Sequence, residues 1–320
     1  MTTLARSGRP RWYKPDIGLS VRMVLTIFVL GLIYVVFGGV MIKLGYGIFA
    51  IPFALIIAGV QIFFSDKIAL GSMGAKEVSQ AEAPQLHDII GRLAAQADLP
   101  MPKVYLVNTS LPNAFATGRD KNHAVVAVTT GLINNMSGPE LEAVIAHELT
   151  HVLNRDMLVM TIAAFFSMVI GIVTQQLMWA GMWGGYGGGF GRGRRNNDEG
   201  QLFLIALLVS AVVYFLSFLL TRMLSRAREL AADRGSALIT GAPQNLASAL
   251  LKLDAIIKGG AARIPVQDFR QAQTVNALFI MPALRGDSLG SLFSTHPSTE
   301  ERVKRLMEMQ RQMEQAGHVS

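Results

Sequence analysis

His147-Glu148-Leu149-Thr150-His151 places two imidazoles four residues apart with a carboxylate directly after the first. On a helix that spacing puts both rings on one face, where their nitrogens can converge on a single ion. Leu141, Val144, Ile145, Leu149 and Val152 recur at helical spacing around the motif and form a packed side for such a helix. Zinc accepts imidazole nitrogens at about 2.0–2.1 Å and brings no redox chemistry of its own. Glu148 is aimed to the side of the ion, where it can take the proton of a water that attacks a polarised peptide carbonyl. Two histidines can also decorate a helix by accident. The full His-Glu-x-x-His pattern arises by chance in on the order of one percent of such sequences or fewer, which favours the chemical reading.

A hydrolytic zinc site needs a third protein ligand and an open position. The chain has no cysteine, so thiolate ligands, disulfides and a cysteine nucleophile are all excluded. No third histidine follows at the long metzincin spacing, so a downstream carboxylate is required. Glu229 lies in Ser225-Arg226-Ala227-Arg228-Glu229-Leu230-Ala231-Ala232-Asp233, where the small Ala231 and Ala232 permit close helix approach. Asp233 shares its face and could accept the free ring N–H of a ligand histidine. By spacing alone Asp233, Glu140 and Asp156 remain alternatives to Glu229 as the ligand.

These residues must be held by a chain with 51% hydrophobic and only 16% charged residues, a shortage of charge that points to lipid. Residues 1–22 form a basic N-terminus with Arg6, Arg9, Arg11, Lys14 and Arg22 against Asp16. Residues 23–65 contain two uncharged runs, Met23 to Ile42 and Leu44 to Ser65, each near the roughly 20 apolar residues that cross a bilayer. The first exceeds the roughly 7–15 residues of a signal-peptide core, so an uncleaved hairpin is expected. The positive-inside rule puts both of its ends in the cytoplasm. Residues 66–156 form a first polar segment, with a helix over Ala81–Ala97 and strands over Lys103–Val107, Asn113–Gly118 and Ala124–Thr129. Ser137 and Glu140 match a capping box that opens the metal helix. Residues 157–221 hold two more uncharged runs, Met157 to about Ala180 and Leu202 to Thr221, around a glycine-rich stretch over 181–200 that reads as an interhelical loop. Residues 222–320 are again polar, and Ser298 with Glu301 caps a final amphipathic helix. The fold expected is α+β and mainly helical, with four transmembrane or membrane-embedded helices and a small β-sheet. The formal charge of +7 fits cytoplasmic Lys and Arg of a membrane protein, so nucleic acid is not expected as a partner.

Across nearly its whole length the chain resembles the HtpX-type membrane zinc metalloproteases, relatives of the CAAX prenyl endopeptidases. The likeness rests on the N-terminal hairpin, Pro112–Gly118 (PNAFATG), Ala124–Leu132 (AVVAVTTGL), HELTH at 147–151, the SRxxExxAD pattern at Ser225–Asp233, and Thr295-His296-Pro297. The resemblance implies a zincin-like domain facing the cytoplasm and one zinc ion per chain on His147, His151 and Glu229, with Glu148 as catalytic base. It further implies a multi-pass enzyme of the bacterial plasma membrane that cleaves misfolded membrane proteins.

Within that frame the Asn113–Gly118 strand gains a role. A protease holds its substrate extended, and adding the peptide to a sheet edge satisfies its backbone without reading its sequence. Asn113, Ala114, Phe115 and Ala116 are therefore candidate substrate-binding residues, against the plainer reading of a core strand. His87, His123 and His318 have no ligand spacing. His296 precedes Pro297, which holds it in an extended, stiff loop. Three readings compete for it: an oxyanion donor, a loose occupant of zinc's fourth position at rest, or a histidine that orders the Pro297 turn. Proteins, chiefly membrane proteins, are the expected substrates, and the bilayer is the expected partner.

Overall fold

The computed structural model describes residues 17–43, 50–184, 197–260 and 296–317. Arg6, Arg9, Arg11 and Lys14, most of the glycine-rich stretch, and His318 lie outside the described residues. The chain divides into two compact units, one made of 1–19, 64–158 and 225–320 and the other of 20–63 and 159–224.

The second unit is helical. It comprises most of α1 (Ile17–Lys43), the start of α2 (Ala50–Ser72), most of α6 (Asp156–Gly184) and the first part of α7 (Asn197–Thr240). Phe37, Ile170, Ala206 and Val213 form its small buried cluster. Val24, Phe28, Val35, Leu204, Leu208 and Phe215 stay outside it and exposed. Apolar surface on that scale needs a non-aqueous cover. Val21–Val40 and Leu204–Thr240 are the two stretches among the described residues long and apolar enough to cross a membrane. Four such helices were expected. Among the described residues two meet the test. The apolar run expected to close at Asp66 and Lys67 continues as helix to Ser72, because nothing breaks α2 before Gly74 turns left-handed (φ 61°).

The first unit holds the sheet. Lys76–Glu77 (β1), Lys103–Val107 (β2), Ala114–Thr117 (β3) and Val125–Thr129 (β4) pair in the order β1-β2-β4-β3. The β2–β4 pair is parallel, and the β1–β2 and β3–β4 pairs are antiparallel. β3 is an edge strand. The turn after it needs Gly118, which sits at φ +133° where an added Cβ would meet the His123 carbonyl oxygen at 2.2 Å. The unit also holds α3 (Pro84–Gln96), the short α4 (Thr130–Asn135), α5 (Gly138–Asn154), α8 (Pro243–Gly260) and α9 (Thr299–Gly317), with α5 packed against β3, α3 and α8, and α9 against α8.

The apolar phase of α5 predicted from sequence is the core: Leu141, Val144, Ile145, Leu149 and Val152 are buried with Val126, Val128, Leu246, Leu250 and Leu306. Glu140 opens α5 by accepting hydrogen bonds from the Ser137 backbone N–H (2.9 Å) and hydroxyl (2.8 Å). That contact answers an orphan amide of the first turn. Glu140 also accepts from Ser248 and from Lys252, both at 2.6 Å, which ties α5 to α8 and uses up the carboxylate.

Candidate metal centre

α5 and the C-terminal part of α7 cross closely enough to bring His147, His151 and Glu229 together, with one ligand atom from each lying within 4.8 Å of the others. The two Nε2 atoms are 3.2 Å apart, and Glu229 reaches each of them at 3.6 Å. Glu229 reaches His147 through Oε2 and His151 through Oε1, so its carboxylate faces both imidazoles, a donor set that suits zinc. All three residues are buried, and Glu229 Oε2 lies 3.2 Å from His296 Nδ1 and 3.6 Å from Arg302 Nη1 without a well-formed hydrogen bond. A buried carboxylate is costly without positive charge around it.

The other ring nitrogens are held from behind. His147 Nδ1 lies 3.0 Å from Asp233, and His151 Nδ1 bonds Asp156 at 2.7 Å. Each carboxylate has its own arginine. Arg302 grips Asp233 through Nε (2.8 Å) and Nη2 (2.6 Å), and Arg228 Nε lies 3.4 Å from Asp156. With carboxylates behind the outer nitrogens, the two Nε2 atoms face each other and Glu229, the placement that carboxylate–histidine–metal arrangements require. Burial opposes a charge on His147, yet Asp233 and Glu229 outweigh it and hold the imidazole up at about 9. The centre thus rewards positive charge.

Glu148 is buried beside the cluster, and its Oε2 accepts the Ala116 backbone N–H at 3.0 Å. Burial pushes its carboxyl up, and the neighbouring Glu229 charge adds to that, while His147 and His151 pull the other way. A carboxylate with raised proton affinity is suited to take and return a proton. The same contact fixes where β3 lies. Because the N–H of Ala116 turns towards Glu148, Ala114 and Ala116 direct their backbone groups away from β4. Phe115 packs on the opposite face with Val107, Leu111, Val125 and Ala127. Asn113 is pinned to β4, its N–H donating to Thr129 Oγ1 at 2.8 Å and its carbonyl accepting from the Thr129 N–H at 3.0 Å.

His296 is buried with Nδ1 3.2 Å from Glu229 Oε2, so the loop before α9 reaches the cluster. Of the alternatives to Glu229, Asp233 and Asp156 stand behind the histidines. Glu140 caps α5 with its carboxylate engaged by Ser137, Ser248 and Lys252. Arg302 was not singled out from sequence. The signal was its phase: it stands at helical spacing from buried Leu306 and from Met309, a place where an arginine needs a carboxylate. His87 bonds the Val78 carbonyl and His123 bonds Asp120, both away from the cluster.

Residues 80–310 match the profile of Peptidase family M48. The chain is 52% identical over 302 residues to "Protease HtpX homolog" of Moorella thermoacetica, covering 94% of this chain and 97% of that protein. It is 49% identical over 304 residues to "Protease HtpX homolog 2" of Methanosarcina mazei, covering 95% and 99%. Among solved structures, the crystal structure of S. mikatae Ste24p aligns with a TM-score of 0.50 over 91% of this chain and 67% of that one. At 19% identity that alignment is a likeness of fold. A buried, convergent His-His-Glu cluster, in a chain matched over most of its length, has one reading: this membrane protein is a metalloprotease and belongs to peptidase family M48.

Proposed function

We propose that the chain is a zinc-dependent endopeptidase of the bacterial plasma membrane that removes misfolded or damaged membrane proteins from the cytoplasmic side, as part of a stress response. The observation that carries this reading is the convergence of His147, His151 and Glu229 beside a buried Glu148. Nitrogen and carboxylate donors without thiolate suit zinc in a hydrolytic site that keeps one position open. Zinc held by His147, His151 and Glu229 would supply Lewis acidity there. Glu148 takes the proton of the attacking water and returns it to the departing amine. Asp233 with Arg302 and Asp156 with Arg228 keep the two imidazoles in the tautomer and orientation that binding needs. The outward backbone groups of Ala114 and the carbonyl of Ala116 offer hydrogen bonds to an extended peptide, next to the base that holds the Ala116 N–H. Recognition through backbone atoms suits substrates of many sequences. Four crossings, by α1, α2, α6 and α7, would keep both halves of the site on one face of the membrane.

Metal content and casein cleavage by the detergent-purified protein test the proposal together. Wild type should hold about one zinc per chain and cleave. Glu148→Gln should keep the zinc and lose proteolysis, since the amide preserves size and removes the proton acceptor. Glu229→Ala should lose both. Appreciable cleavage by Glu148→Gln, or zinc kept by Glu229→Ala and lost by Asp233→Ala, would sink the assigned roles.

A further inference from the structure

We propose that the cavity between the 119–122 loop and the C-terminal end of α5 binds the phosphate headgroup of an anionic membrane phospholipid. The cavity has a volume of about 290 Å³ and is lined by three cationic side chains, Arg119, Lys121 and Arg155, against one carboxylate, Asp120. That carboxylate is already committed within its own loop. It accepts from the Asn122 N–H (2.8 Å), the His123 N–H (3.0 Å) and the His123 ring (2.8 Å). Arg119 pairs with the same carboxylate at 3.5 Å and contacts the His123 ring at 2.9 Å, so the positive balance facing the cavity comes from Lys121 and Arg155, which suits a phosphate.

The walls are built. Gly118 locks the turn that presents Arg119 and Lys121, because no side chain fits between it and the His123 carbonyl. Arg155 ends α5 at φ 60°, ψ 32°, in the left-handed region where glycine or asparagine normally serves. Arg155 shares that conformation with Asp98 among the described non-glycine residues, and each carries some backbone strain. At Arg155 the side chain lines the cavity.

Two features favour a lipid over free phosphate. Val152 and Met157 give the cavity an apolar wall for which an inorganic ion has no use. Met157 also begins the uncharged run to Ala180, and this step rests on the reading above that α6 crosses the membrane. If α6 crosses, Arg155 and Met157 bracket the level at which acyl chains give way to headgroups, where basic pockets meet anionic lipid. The proteolytic site needs none of these cations. A lipid seated here would fix the end of the metal helix against the bilayer.

Native mass spectrometry of the delipidated full chain in detergent tests the site, with phosphatidylglycerol, phosphatidylcholine and inorganic phosphate as probes. Wild type should retain one phosphatidylglycerol about tenfold or more tightly than phosphatidylcholine. Lys121→Gln and Arg155→Gly should each lose most of that preference. Arg155→Gly relieves the backbone, so a melting temperature at or above wild type certifies its fold. Unchanged preference in Arg155→Gly overturns the proposal, and so does displacement of the lipid by millimolar inorganic phosphate. A nitroxide on Val169→Cys in nanodiscs separates the two failures. A label open to a water-soluble nickel chelate removes the crossing of α6, and the headgroup site with it. A label open only to oxygen, together with unchanged lipid preference in Arg155→Gly, removes the headgroup site alone.

Discussion

A Cβ placed on Gly235 would lie 2.2 Å from Thr150 Cγ2 and 2.5 Å from Thr150 Oγ1. Thr150 is locked from behind by its bond to the Ala146 carbonyl at 2.8 Å, so it has little room to yield. α5 and α7 can approach this closely only because Gly235 lacks a side chain, and the approach is what sets Glu229 and Asp233 against His147 and His151.

Gly235→Ala should therefore push the two helices apart and weaken zinc binding about tenfold or more, in addition to an overpacking cost of about 1–3 kcal/mol. Trimming the opposing side chain should restore part of the loss, so Gly235→Ala with Thr150→Ala should bind zinc more tightly than Gly235→Ala alone. Competition with a chelator measures both. Equal affinities in the single and double variants would remove Gly235 from the positioning of the site.

The features legible in the sequence are those set by local rules. Helical phase gives α5 its buried face, turn residues bound β2, β3 and β4 to within a residue or two, and Ser137 with Glu140 marks the helix start. The i, i+4 relation puts His147 with His151, and Glu229 with Asp233, on common faces. What spacing does not carry is which elements meet. Asp156 reads as a possible ligand, yet the left-handed turn at Arg155 carries it back behind His151. Arg302 lies 69 residues from the aspartate it holds, and only packing of α9 joins them. Gly235 looks like any helical glycine until Thr150 stands opposite it.

Topology gives an independent check. His147 and Glu229 can share an ion only if the chain between them crosses the membrane an even number of times, so α6 and α7 both cross or neither does. Labelling is clean in this cysteine-free background. Ser225 would be a natural reporter from sequence but is buried, whereas Lys76 and Arg311 are exposed on the two halves of the catalytic unit. Lys76→Cys and Arg311→Cys should label only from the cytoplasmic side in oriented vesicles, and Gly191→Cys only from outside. Labelling of Lys76→Cys and Arg311→Cys from opposite sides would exclude a shared metal.

Acid should loosen the α5–α8 joint at Glu140. Burial there favours the neutral acid, but Lys252, Ser248 and Ser137 outweigh it and hold the carboxyl at about 2. Its folded value lies below its unfolded one, so the stability it contributes is complete above about pH 4.5 and is lost as pH falls towards 2. The contribution is on the order of 1–3 kcal/mol, the lower figure allowing for solvent screening at the half-exposed Lys252. Glu140→Gln should flatten the acid limb of the melting temperature between pH 4.5 and 2. A variant whose acid limb parallels wild type would show that Glu140 does not carry that dependence.

His296 offers the sharpest kinetic test, because the three readings from sequence, and a fourth in which it only steadies Glu229, make different demands. The structure buries it with Nδ1 3.2 Å from Glu229, close enough to serve the reacting centre and too close for a residue that merely orders the Pro297 turn at the surface. A donor to the negative charge developing on the carbonyl oxygen acts chiefly in the transition state. On that reading His296→Ala lowers kcat by about 10²-fold and leaves KM and zinc content nearly unchanged. A resting occupant of zinc's fourth position competes with substrate, so its loss leaves kcat equal or higher and eases substrate entry. A partner that only steadies Glu229 shows itself in the metal: zinc occupancy falls, and added zinc restores the rate. We expect the first pattern, since Glu229 already has Arg302 at 3.6 Å and the open position of a hydrolytic zinc must admit water. Wild-type kcat, KM and zinc content in His296→Ala would leave the histidine a structural residue of the turn.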